Sequence, residues 1–240
     1  MRNIKYLASD NLAEIIINRP EKKNSLTSEM YGELKECFDR ASDDSKIRLV
    51  ILKGQGEVFT AGNDINDFVS IPEGVDCRET NVIKFIQTVS DFPKPIIANV
   101  NGLAIGIGVT ILMHCDFVYS TKDTKFLLPF VNLGLCPEAA SSILIPLNSN
   151  MLIAKEKLLL GEPFDPAEAL NMGIVSKIYD TEKEMVETTS ETAKKICNLP
   201  SSSISFTKKL INQTFKEMIK NRILMEGQKL FELLHSDEAK

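Results

Sequence analysis

Asn99-Val-Asn-Gly-Leu-Ala-Ile-Gly-Ile-Gly-Val-Thr-Ile-Leu-Met-His-Cys-Asp116 is the stretch on which the reading of the chain turns. An apolar run, Ile96 to Val100, leads into it and reads as a buried strand. Gly102, Gly106 and Gly108 then allow a tight turn and a close approach of backbone to a ligand. Val109 to Met113 is too apolar to face water on any side, which predicts a buried helix. The unpaired first amides of such a helix favour negative charge. Gly106-Ile-Gly108 is not a dinucleotide fingerprint, because a third glycine and a following acidic residue are missing.

Upstream, Leu12 to Asn18 and Ile47 to Leu52 read as strands, the second ended by Gly54-Gln-Gly56. Between them Arg19 to Asn24 is a polar loop and Thr27 suits a helix N-cap. Met30, Leu34, Cys37, Phe38 and Ala41 then share one helical face. Phe59-Thr-Ala-Gly-Asn-Asp64 is rich in small residues that permit close backbone approach. Val82, Phe85, Ile86 and Val89 mark a helix stopped before Pro93 and Pro95.

Downstream, Phe117 to Ser120 is a short strand, and Phe126 to Cys136 reads as irregular chain interrupted by Pro129 and Gly134. Pro137-Glu138-Ala-Ala-Ser-Ser reads as the opening of a short helix. Glu138 is the one carboxylate between Phe126 and Leu147. A helix over Met151 to Leu160 stops at Gly161, and Asp165-Pro166 opens another that Gly173 ends. Ile174 to Tyr179 reads as a strand. Thr181-x-x-Glu184 is a capping box for a helix to about Asn198, Pro200 breaks it, and the chain is helical again from Ser203. Strands with helices first and helices last predict an α/β core with a helical extension.

The 240 residues suit one large domain or a domain plus an extension. A net charge of −5 supplies no basic field for nucleic acid. The five cysteines show no metal-like or disulfide-framework spacing, which points to a reducing compartment. The two histidines leave little for a zinc or triad site. No apolar run reaches membrane-spanning length and no signal-peptide block precedes the first strand. The expectation is a cytoplasmic protein with no membrane partner and no metal.

Five stretches together resemble the crotonase, or enoyl-CoA hydratase/isomerase, superfamily. They are Asn18-Arg-Pro-x-x-x-Asn24, Phe59-Thr-Ala-Gly-Asn-Asp64, Pro95-Ile-Ile-Ala-x-Val-Asn-Gly102, His114-Cys-Asp116, and Leu158 to Val175. Within it, Phe59-x-x-Gly-Asn-Asp64 and Pro129-Phe-x-x-Leu-Gly-x-x-Pro-Glu138 look most like the peroxisomal-type Δ3,Δ2-enoyl-CoA isomerases. The resemblance implies a crotonase-like spiral of ββα units over residues 1–198 and a C-terminal helical trimerisation region over 199–240. It also implies homotrimers or hexamers, an acyl-CoA thioester substrate, and no cofactor beyond the coenzyme A of the substrate.

Site roles follow from the same resemblance. The backbone amides of Asn63 and Ile107, the latter after Gly106, match the donors aimed at the thioester oxygen. Lys23, Asn24, Leu26, Thr60, Ala61, Gly62, Asp64 and Ile65 match the family's coenzyme A contacts. The two hydratase glutamates are matched by Thr110 and Phe130, so water addition by that route is disfavoured. Glu138 matches the single glutamate of the isomerases, which takes a proton from C2 and returns one at C4. Ala139 departs from the glycine usual after it.

Simpler readings stand beside these. The turn alone accounts for Asn99, Asn101 and Gly102 on such a reading, packing for His114, and ties to backbone amides for Asp64 and Asp116. Cys136 has nothing nearby to activate its thiol. The family's C-terminal region continues beyond a segment like Ser236-Asp-Glu-Ala239 into a helix that closes the site, whereas this sequence stops at Lys240. The leading expectation is a shift of the double bond of a 3-enoyl-CoA to the 2-trans position. The alternatives are another crotonase activity, such as hydration, hydrolysis or decarboxylation, or a non-catalytic acyl-CoA-binding trimer.

Overall fold

Two parallel sheets of unequal size carry the site, and they exist because the strand sequences suit burial on both faces. The computed structural model describes residues 3–239. The chain begins with β1 (Ile4–Ser9) and β2 (Leu12–Ile17), then α1 (Ser28–Asp43), β3 (Leu49–Gly54), the short α2 (Ile65–Phe68), α3 (Asn81–Ser90) and β4 (Ile96–Val100). After β5 (Leu103–Ile105) come α4 (Ile107–Thr110), β6 (Phe117–Thr121) and β7 (Lys125–Leu127). The remainder is α5 (Ser141–Asn148), α6 (Met151–Leu160), α7 (Pro166–Asn171), β8 (Lys177–Tyr179), α8 (Glu182–Asn198), α9 (Ser201–Gln213) and α10 (Lys216–Leu234).

The large sheet runs β1-β2-β3-β4-β6-β8, and only its β1–β2 pair is antiparallel. β3 alternates its burden: Val50 and Leu52 enter the main core, while Leu49 and Ile51 face a second apolar cluster. Ile97, Tyr119 and three side chains of α8, Met185, Ala193 and Ile196, complete that second cluster. Central strands apolar on both faces are what a parallel sheet covered on two sides requires. α1 packs Met30, Tyr31, Leu34, Phe38 and Ala41 into the main core, against α3. The expected Thr27 cap is present, its hydroxyl accepting from the Met30 amide at 3.3 Å.

The elements differ from the sequence reading at four points. β1 was not expected, because Ile4 is its only buried residue and the other five side chains leave no apolar run. The buried helix after the glycine turn is one α turn, α4, that tightens into a 3-10 turn over Ile111–His114. The chain expected to be irregular from Phe126 includes β7, which pairs in parallel with β5. The helix expected to open at Pro137 starts only at Ser141, because Ala139 and Ala140 hold left-handed φ angles of 56° and 59°. Two consecutive left-handed residues cannot continue a right-handed helix.

The described part of the C-terminal segment, residues 199–239, packs on the body. Ile223, Leu230, Phe231 and Leu234 of α10 belong to the main core, and α10 rests on α3 and α5. α9 is anchored by Lys208, whose ammonium donates to Asp116 at 2.7 Å and to the Lys94 carbonyl at 2.9 Å. Asp116 also accepts from the Ile96 amide at 2.7 Å, so it ties two elements together as a structural residue. Among the described residues, no helix is long and apolar enough to cross a membrane.

Gly102 links the two sheets where space is least. It has φ +64°, and a Cβ there would overlap the carbonyl oxygen of Glu57. Gly102→Ala is therefore expected to cost about 3 kcal/mol, from strain and backbone overlap together. A urea titration should show the midpoint falling with an unchanged slope.

Candidate active site

The loop from Arg19 to Leu26 and the loop from Thr60 to Asp64 are laced into one unit by backbone bonds. Ala61 donates to Lys23, Leu26 to Gly62, and Asp64 to Leu26. The Thr60 hydroxyl donates to the Asn24 carbonyl at 2.7 Å. Arg19 clamps the unit by donating from one nitrogen to the Ser25 carbonyl and to Asp64 at 2.7 Å. That guanidinium bond holds the Asp64 carboxyl below the usual carboxylate range. Asp64 also caps α2 by accepting from the Asp67 amide.

The second loop lies against the glycine turn after β5. Thr60 pairs with Ala104, and a Cβ on Gly62 would meet the Ile105 carbonyl oxygen at 2.7 Å. A Cβ on Gly108 would meet the Thr60 methyl at 2.6 Å. The backbone around Asn63 and Ile107 is thus brought together by contacts that only glycine permits. Among the described residues, neither the Asn63 nor the Ile107 amide donates to a backbone carbonyl.

Glu138 lies beyond these loops, in the turn before α5. It is 3% exposed, and its Oε1 has no hydrogen-bond partner among the described residues. Burial first, and the charge of Glu226 second, push its carboxyl up to about 8. Tyr31 of α1 spans the gap between base and loop. Its hydroxyl donates to Asn63 Oδ1, and it lies near enough to Glu138 for that charge to raise its own pKa, after burial. A cavity of ≈ 210 Å³ opens beside Asn63 and Tyr31, with Leu26, Phe68 and Ile71 among its walls.

The turn carrying Glu138 is gripped from two directions. His114 donates from Nε2 to the Ala139 carbonyl at 2.8 Å. Burial pushes this imidazole down to about 4, so it is neutral at pH 7 and serves as a fixed donor. On the other side, Glu226 of α10 accepts from the Ala140 amide at 2.6 Å and the Ser142 amide at 3.0 Å. Arg222, one helical turn before it, donates to the Ser142 hydroxyl at 3.1 Å.

Of the residues expected to act, Asn63 lines the cavity, Ile107 follows Gly106 at φ +56° with open space where a Cβ would sit, and Glu138 is buried outside the cavity's lining. Thr60, Ala61, Gly62 and Leu26 belong to the two laced loops. Lys22, Lys23 and Ile65 are exposed at the rim. Asn24 is fully buried, and its amide donates to the carbonyls of Gln55 and Val58, so its side chain is committed to the loop itself. Thr110 and Phe130 are buried and carry no carboxylate. Asn99 and Asn101 are also structural: the first accepts from Thr189, and the second donates to Gly56. Burial pushes the Cys136 thiol up to about 11, away from nucleophilic use.

Glu226 was missed in the sequence. Its signal was available, because it follows Ile223 by three residues and precedes Leu230 by four, on the buried stripe of α10.

An α/β spiral with two glycine-permitted loops facing a buried carboxylate is the architecture of the crotonase class. Comparisons agree: the family described as "Enoyl-CoA hydratase/isomerase" matches residues 8–240, and the chain belongs to that family. It is 33% identical over 217 residues to human enoyl-CoA delta isomerase 2, covering 88% of this chain and 55% of that protein. The chain thus spans about half the length of that curated relative. It is 29% identical to a probable enoyl-CoA hydratase of Bacillus subtilis strain 168, over 98% of this chain and 92% of that one. Among solved structures, an enoyl-CoA hydratase/isomerase from Pseudoalteromonas atlantica T6c superposes with a TM-score of 0.92 at 36% identity. That match covers 99% of this chain and 94% of the other.

The strained turn supplies a stability test. At φ +56° an alanine side chain costs about 1–2 kcal/mol. Removing the Ala139 methyl forfeits burial worth about 0.8 kcal/mol and frees the unfolded chain by a similar amount. Ala139→Gly should therefore lie within about 0.5 kcal/mol of neutral in urea unfolding. Ala154→Gly, inside α6 and equally buried, should cost about 1 kcal/mol or more.

Proposed function

We propose that the protein is a Δ3,Δ2-enoyl-CoA isomerase with Glu138 as its single base. The observation that carries this reading is the Glu138 carboxyl. It is buried and unpaired at Oε1, and its charge is felt by Tyr31, whose hydroxyl donates to Asn63. With the thioester oxygen at the amides of Asn63 and Ile107, ionised Glu138 takes a proton from C2. Negative charge moves onto that oxygen, and the preorganised donors stabilise it. The dienolate then recovers the proton at C4 from the same carboxyl, leaving the double bond between C2 and C3. A carboxyl raised by burial both abstracts and retains the proton between the two steps.

Hydration on the two-carboxylate plan finds less support. The positions that would supply the carboxylates are Thr110 and Phe130. Glu226, the other buried carboxylate nearby, has each oxygen engaged by a backbone amide, one in the turn before α5 and one at its start. The cavity beside Asn63 takes the start of the acyl chain, and the rim bearing Lys23 and Ile65 takes the coenzyme A. Exposed Phe206, Leu210 and Ile211 on α9 and Leu152, Leu159 and Leu160 on α6 form the faces through which chains associate. Light scattering should give the mass of three or six 26.8 kDa chains. A monomer at micromolar concentration would refute that part of the proposal.

Glu138→Gln should lower kcat on a 3-enoyl-CoA by about 10²–10⁴-fold with little change in acyl-CoA affinity. Undiminished turnover would remove the proposal. In the wild-type protein the active form is the ionised carboxylate, so kcat/KM should rise with pH and level off above about 8. A profile flat from pH 6 to 9 would show that another group is the base.

A further inference from the structure

The mechanism above uses one buried carboxylate, yet a second, Glu226, is close enough for its charge to be felt at the first. Glu226 is 6% exposed, 86 residues beyond the turn it grips, on a helix otherwise packed by its apolar stripe. Burying an acid there without a task would be costly. Its Oε2 accepts the Ala140 amide and its Oε1 the Ser142 amide, so it caps the start of α5 from outside the helix. The bonded turn lies immediately after Glu138 and contains the two left-handed alanines.

We propose that Glu226 is a positioning residue for the base. It fixes the Ala139–Ala140 turn from behind and, as the better-solvated member of a buried acid pair, leaves Glu138 as the member that carries the proton. This inference rests on the reading of Glu138 as the base. Amide donors stabilise an ionised carboxylate, and Glu226 has two, whereas Oε1 of Glu138 has no donor. Two neighbouring carboxylates resist ionising together, so the proton settles on the one less well served.

The other groups around the pair are few. Tyr31 of α1 and Cys136 of the same turn both lie within the field of Glu138, and burial keeps both protonated at pH 7. Burial raises the Glu226 carboxyl above the usual range, while its hydrogen bonds to Ser142 and Ala140 and, least, the Arg222 charge act against that rise. His114 meets the turn as a neutral donor. Lys229 is felt at Cys136.

The test is a carboxyl titration of the substrate-free protein by difference infrared spectroscopy, with Glu138→Gln assigning the Glu138 band. In the wild type that band should titrate near 8. Glu226→Gln keeps the shape but removes the charge, and should lower the Glu138 midpoint by about one pH unit. The rise of kcat/KM should move by the same interval. Glu226→Ala, lacking both acceptors, should in addition lose about 10–100-fold in kcat, which Glu226→Gln, with one acceptor oxygen left, restores only in part.

An unmoved Glu138 midpoint in Glu226→Gln overturns the inference, whether or not the protein isomerises anything. A shifted midpoint without turnover of 3-enoyl-CoA leaves the inference standing and removes the isomerase proposal instead. Should the Glu226 variants fail to fold, the reciprocal effect remains measurable. The Glu226 band should titrate lower in Glu138→Gln than in the wild type, and no difference there overturns the inference equally.

Discussion

A pair of left-handed alanines, pinned between a histidine donor and a glutamate acceptor, is the constraint on which the site depends. Ala139 and Ala140 hold φ angles that L-residues adopt only under compulsion. The compulsion comes from His114 at the Ala139 carbonyl and Glu226 at the Ala140 amide. Glu226 and both alanines are buried and His114 is half-buried, so losing the Glu226 acceptor would strand the Ala140 amide away from water. The reward is a turn that reverses the chain before α5 and presents Glu138 inward rather than along the surface of a helix.

The remainder of the fold positions the opposite wall. Parallel strands deliver two loops from their ends to one place, Gly62 and Gly108 let those loops touch, and Gly106 takes the positive φ of the turn. Arg19 and Asp64 then lock the loops with a part-buried ion pair at 2.7 Å. Tyr31 lies between this wall and the field of Glu138. Its ring packs against Phe85 in the core, and its hydroxyl reaches Asn63, so α1 helps to set the distance between donor loop and carboxylate.

The large features were legible because they rest on local or periodic signals. The apolar runs of β3 and β4, the capping box of Thr181 and Glu184, and the Gly161 stop all stand where their residues indicate. Glu138 was legible from its isolation in an apolar stretch and from the family resemblance. What escaped was non-local. The left-handed turn at Ala139 cannot be read from alanine, a good helix former whose preference is overruled here by distant partners. β7 was hidden because three residues between a turn and a proline carry no periodic pattern. Glu226 reads as surface charge until the stripe of α10 is drawn through it.

The grip of α10 on the turn also bears on the order of assembly. The bond from Ala140 to Glu226 closes a loop of 86 residues, whereas the sheet and the glycine turn are complete in sequence well before α10 begins. Closing so long a loop draws on chain entropy that only the docking of an entire helix repays. Until α10 docks, the Ala140 amide lacks its acceptor, so the left-handed turn and this long helix become fixed in the same event.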